Sequence, residues 1–164
     1  MSNYIPYEWY ALLLMVLGNW QEVRRFEKVL KQAYHHSKTG EKMKTPIILW
    51  GPARSGKSTI LNILELGFFT VNNINEMKNT IFVHDFDATR VPPFYANKMW
   101  NYMMAQPIVF AATNRIVSEE LVPDREFIFG TTGQRFEKEV YEAILIVCNN
   151  HAEDIYKYYS EENS

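Results

Sequence analysis

The sequence predicts an α/β chain: a mainly parallel sheet flanked by helices and preceded by a helical segment. Three observations carry this. Short apolar runs alternate with stretches of helical periodicity, the pattern that lays parallel strands side by side with helices on their faces. A glycine loop ending in Lys57-Ser58 sits where an apolar run gives way to a helical one. Polar motifs follow three of the apolar runs, after Trp50, His84 and Thr113, and parallel sheets take their ligands at the carboxyl ends of the strands.

Taken in order, Tyr7 to about Ser37 reads as helix, with Trp20, Val23, Phe26 and Leu30 at helical spacing and a break expected at Gly18-Asn19. The polar stretch that follows carries Lys38, Lys42 and Lys44. Residues 1–44 are thus a helical segment with a basic linker, and residues 45–164 the core with a C-terminal helix. Pro46 to Trp50 is a strand with its proline at the start, where a strand tolerates one. Ser58 to Leu66 is helix. Phe68 to Val71 and Thr80 to Asp87 are strand candidates, separated by a turn-rich loop. Pro92-Pro93 open a helix reaching about Gln106, since proline fits a first helical turn. Pro107 to Asn114 is a strand, Phe127 to Gly133 a short strand and turn. Phe136 to about Tyr159 is a final helix with Val140, Ala143, Ile144 and Val147 on one face.

Composition bounds the rest. Apolar residues make up 47% and charged residues 22%, which suits one globular domain. A net charge of −2 argues against a generally basic surface for nucleic acid and leaves room for a local basic patch. Cys148 is the sole cysteine, so no internal disulfide forms, which fits a reducing, intracellular compartment. Ala11 to Leu17, the longest apolar run, is too short to span a bilayer. It follows Glu8 rather than a basic start, so it reads as a buried helix face, with no membrane partner expected.

Gly51-x-x-x-x-Gly56-Lys57-Ser58 matches the P-loop pattern, and its context, strand before and helix after, is the one that pattern requires. Glycines let successive backbone N–H groups point at phosphate oxygens, and the helix start adds its positive end. Gly51, Pro52, Ala53, Arg54, Ser55, Gly56, Lys57, Ser58 and Thr59 are therefore the expected ATP-binding residues, with Lys57 on the β and γ phosphates and Ser58 on Mg²⁺. Asp85 and Asp87 end an apolar strand and, two apart, share one of its faces. Asp85 is assigned to Mg²⁺ and Asp87 to the attacking water, and His84 between strand and acid can contact the γ-phosphate region. Asn114, at the next strand tip, can hold the water or touch the γ-phosphate.

Three blocks, "LWGPARSGKST", "TIFVHDFDAT" and "QPIVFAATNR", together resemble motifs A, B and C of the superfamily 3 helicases, AAA+ ATPases in the replication proteins of small DNA viruses and circular replicons. The resemblance runs over roughly residues 26 to 116. It implies an AAA+-like P-loop NTPase core that forms a homo-oligomeric ring, usually a hexamer, with ATP and Mg²⁺ between subunits. It further implies single- or double-stranded DNA and other replication proteins as partners, in the cytoplasm or in the nucleus of a virus's host. Lys57, Ser58, Asp85, Asp87 and Asn114 match its functional positions. A neighbouring subunit's arginine should complete each site, with Arg125 preferred over Arg135 and Arg115 as the candidate.

The chain departs from this pattern between motifs B and C. The family carries a DNA-gripping β-hairpin there, whereas residues 87–107 have room for one helix and only Arg90 and Lys98 as basic residues. A reduced relative is therefore expected. Two other classes remain open: a small nucleotide or metabolite kinase, with "DREFIFGTTGQR" as an arginine-bearing lid, and a nucleotide-gated interaction module without turnover. Trp100, Tyr102, Met103 and Met104 are expected to pack in the core or against another subunit rather than stack bases.

Overall fold

A computed structural model describes residues 4–72, 78–86, 95–117, 122 and 124–161, with backbone alone at 95–97. It is α/β, with six helices and a four-stranded, all-parallel sheet among the described residues. The helices are α1 (Tyr7–Leu17), α2 (Trp20–Thr39), α3 (Lys57–Val71), α4 (Tyr95–Ala105), α5 (Lys138–Asn150) and α6 (Ala152–Ser160). The strands are β1 (Ile47–Trp50), β2 (Thr80–Val83), β3 (Ile108–Thr113) and β4 (Ile128–Gly130), in the order β2-β3-β1-β4. No described helix is long and apolar enough to cross a membrane.

The first two helices part where the sequence breaks them. Gly18 adopts φ +99° and its amide closes α1 on the Leu14 carbonyl. The side chain of Asn19 then accepts from the Glu22 amide at 2.9 Å, an N-cap that starts α2. Trp9, Leu12, Leu13 and Val16 recur at 3.6 spacing and are all buried. The indole of Trp9 donates to Tyr159, whose hydroxyl donates to Glu27, so α1, α6 and α2 are tied by one hydrogen-bond network.

Four expectations fail. Phe68 to Val71 is the last turn of α3, not a strand. Its β-branched and aromatic residues suggested a strand, but tertiary packing overrides that preference. Helical continuation puts Phe68 on the buried face, against Tyr34, Phe82 and Tyr156. Gly67 allows the close approach, because a Cβ there would lie 2.3 Å from the Ala152 carbonyl oxygen. The final helix is also two helices, broken at His151, whose backbone (φ −114°, ψ 19°) leaves the helical region. The face of α5 is rotated from the expected one: Ile144 and Cys148 are buried and Tyr141 and Leu145 pack beside them, while Val140 and Ala143 are exposed. Strand β2 ends at Val83, short of the acids.

Strand residues alternate between two apolar clusters, as the pleat requires. Ile47, Leu49, Phe110 and Phe129 join α1, α2, α3, α5 and α6 on one face. Ile48, Val109, Ala111 and Ile128 join Met103 of α4 on the other, with Phe86, Val117 and Val122 from the connections.

Candidate nucleotide-binding site

Because all four strands are parallel, the segments after them emerge at one edge of the sheet. The register sharpens this: Trp50 of β1 pairs with Thr113 of β3 and with Gly130 of β4. Val83, the last residue of β2, pairs with Ala111. The Phe86 amide donates to the Ala112 carbonyl at 3.1 Å, which sets Asp85 opposite Ala112 and slips the register by one residue past the strand's end. Asp85 is then two strand spacings from Trp50, about 10 Å.

Between these ends opens a cavity of about 1050 Å³. Pro52, Ala53, Arg54, Gly56, Lys57, Ser58 and Thr59 form its floor. His84 and Asp85 come from beyond β2 and Asn114 from β3, so every sequence-predicted site residue near these ends that the structure describes lies on it or just behind it. Gly51 and Ser55 are the two behind, both buried. Asp87 lies outside the described residues.

The loop of residues 51–56 holds a shape that most side chains would resist. Gly51, Arg54 and Gly56 have φ of +154°, +63° and +95°, and a Cβ on Gly51 would meet the Thr131 hydroxyl at 1.9 Å. A Cβ on Gly56 would meet Val16 of α1 at 2.5 Å. Thr131 pins the loop twice: its amide donates to the Trp50 carbonyl at 2.8 Å, and its hydroxyl donates to Ser55 Oγ at 2.8 Å. Lys57, 5% exposed, begins α3 and folds its ammonium over the loop. It donates to the carbonyls of Gly51 (2.7 Å) and Pro52 (2.6 Å) and to Ser55 Oγ (3.3 Å). Burial pushes its pKa below the ordinary lysine value, and the charge of Asp85 opposes that shift.

His84 accepts or donates a hydrogen bond at 2.9 Å with Glu65 of α3, which fixes the ring at the cavity wall. Ser58, Asp85 and Asn114 are exposed toward solvent. Arg135 joins the cavity lining. Arg125 does not: its guanidinium donates to the Val122 carbonyl at 3.2 Å. Arg115 is likewise absent from the lining and exposed. Trp100, Tyr102 and Met104 belong to α4, where Met103 is fully buried and Tyr102 exposed.

Of the segment after β4, the sequence offers Arg135 and, for a kinase, a lid over residues 124–135, but not the wall that this segment forms. Gly133, Gln134, Arg135, Phe136, Lys138 and Tyr141 form one wall of the cavity. The signal was present, since "FGTTG" is also a strand followed by a turn. In a parallel sheet its exit falls at the same edge as the other three.

Chemically, the floor offers backbone amides at a helix start and a buried ammonium, a combination suited to an anion. Ser58 and Asp85 supply hard oxygen donors facing the same space. Among the described residues no three His, Cys, Asp or Glu side chains gather as a metal site. That does not bear on Mg²⁺ shared with phosphate, which needs only one or two protein oxygens. Compared with known proteins, the chain matches no family model, and no curated protein or solved structure matches it significantly.

Proposed function

We propose that the chain is an ATP-binding and ATP-hydrolysing P-loop protein with an AAA+-like core, a reduced relative of the superfamily 3 helicases. The observation that carries the reading is the meeting of Lys57, Ser58, Asp85 and Asn114, from three strand ends, on one cavity. An ordinary glycine turn with a surface lysine would not bury that lysine's ammonium against the loop's own carbonyls.

On this reading Lys57 holds positive charge where the β and γ phosphates lie, and the 51–58 backbone amides cradle their oxygens. Ser58 and Asp85 hold Mg²⁺, whose role when bound is to neutralise charge on the phosphates. The Asn114 amide orients the attacking water, with Asp87 as its partner in that task. The His84–Glu65 pair keeps a polar group at the end of the cavity next to Asp85. The Arg125 guanidinium, outside the cavity of its own chain, would act on a neighbour's site in a ring, and Arg135 would act in its own. DNA and other replication proteins are the partners the resemblance suggests.

The test is ATPase rate against protein concentration, with and without single-stranded DNA, for the native chain and Lys57→Ala. A rate per subunit that rises with concentration, responds to DNA and vanishes in Lys57→Ala is the expected result. A Lys57-dependent rate indifferent to both overturns the ring motor and turns attention to phosphoryl acceptors, the kinase reading. ATP bound without turnover leaves the gated interaction module.

A further inference from the structure

The loop and Lys57 account for an anion, but the cavity is far larger than a triphosphate needs, and one of its walls is aromatic. Phe136 and Tyr141 stack with ring centroids 5.2 Å apart and planes 20° from parallel. Both rings are half-buried, packed on one side against the core and facing the cavity on the other. They are also fastened to the loop. The Tyr141 hydroxyl is hydrogen-bonded to Thr59 Oγ1, in the first turn of α3. A Cβ placed on Gly56 would sit 3.6 Å from Phe136, so that ring lies in contact range of the loop's last glycine.

Tyr34 and Phe68, by contrast, are rings of the closed core. Phe136 and Tyr141 both line the cavity that also holds the residues that would bind phosphate. Aromatic faces exposed in a wet, charged cavity fit a flat, neutral π-system joined to an anion.

We propose that Phe136 and Tyr141 form the base-stacking platform of this cavity and give it a preference for purine nucleotides. The inference rests on the nucleotide reading above. Stacking tolerates any base, because every base has a π-face, and the larger purine ring covers more of the platform. Thr59 links the two ends of the ligand: the turn of α3 that follows Lys57 and Ser58 also holds Tyr141 in place. Base recognition and phosphate recognition are thereby fixed to one rigid element. Selection among purines is left to whatever reaches the base edge from the same segment, where Gln134 is the one side-chain amide.

Equilibrium binding of ATP, GTP, CTP and inorganic tripolyphosphate to the full chain, with Mg²⁺, tests this. The native chain should bind ATP and GTP roughly 10-fold more tightly than CTP or tripolyphosphate. Phe136→Leu and Tyr141→Leu keep apolar bulk but lose the π-face. They should erase most of that advantage and leave tripolyphosphate affinity within about 2-fold. Tyr141→Phe keeps the face and should keep the preference. If the leucine variants weaken tripolyphosphate and ATP by the same factor, the rings only prop the loop and the platform is wrong. If the native chain binds all four ligands equally, the platform is equally wrong, while the phosphate site stands. If it binds none of them, the nucleotide reading itself falls and takes this inference with it.

Discussion

Among the described residues, the two faces of the sheet are covered to different depths, and the cavity draws on both. On one face, Ile47, Leu49, Ile108, Phe110 and Phe129 lie under five helices, with an aromatic group of Tyr34, Phe68, Phe82 and Tyr156 closing the interior. On the other, the described cover is Met103 and Trp100 of α4 with Phe86, Val117 and Val122 from the connections. Lys57 and Ser58 start a helix anchored in the deep face. Asp85 and Asn114 follow strands β2 and β3, beside the connections that cover the shallow one. The groups that would grip phosphate are thus rigidly founded.

The largest expected effect tests that inequality directly. Phe68→Ala empties a fully buried ring site ringed by other aromatics and should cost about 4 kcal/mol of unfolding free energy. Met103→Ala, equally buried but on the shallow face, should cost about 2 kcal/mol, because its surroundings can collapse into the gap. Urea unfolding of both variants measures the difference. Equal losses would mean that the shallow face is as tightly packed as the deep one, and the contrast between the two faces would go with it.

Much of this was legible in the sequence, and the failures share a cause. The glycine loop, the break at Gly18-Asn19 and the three polar strand ends depend on local chemistry: φ above zero, a capping side chain, a strand's exit. Those signals survive without knowledge of the fold. Phe68 to Val71 was misread because its state is set by Tyr34, Tyr156 and the Ala152 backbone, all distant in sequence. The face of α5 was misread by about one residue's rotation because Cys148, buried under α1, outranks the more hydrophobic Val140 and Ile146, which remain exposed. The aromatic wall was missed because Phe136 and Tyr141 become neighbours of the loop only once β4 pairs with β1.

A smaller effect sharpens the comparison at the loop. Thr131, from the exit of β4, donates its hydroxyl to Ser55 Oγ. Thr131→Val keeps the shape and removes the donor, so it should cost about 1 kcal/mol in stability. If the bond also sets the loop, tripolyphosphate affinity should fall roughly 5-fold, read by competition binding. A stability loss with unchanged affinity would show that Lys57 and the glycine geometry hold the loop without help from β4.

The smallest effect asks whether the two sides of the cavity share one electrostatic field. Burial lowers the pKa of Lys57 from the ordinary 10.5, and Asp85 pushes it back up. A lysine binds an anion only while protonated, so affinity must fall as pH rises through the Lys57 pKa of the free protein. The alkaline limb of tripolyphosphate affinity should therefore lie below 10.5, earlier than an exposed lysine would give. Asp85→Asn removes the charge that favours the ammonium, so it should move the limb to still lower pH. A limb that Asp85→Asn leaves in place would show that the carboxylate beyond β2 is too far from the ammonium of α3 to be felt. The cavity would then be two half-sites facing each other across β3, joined only when a ligand bridges them.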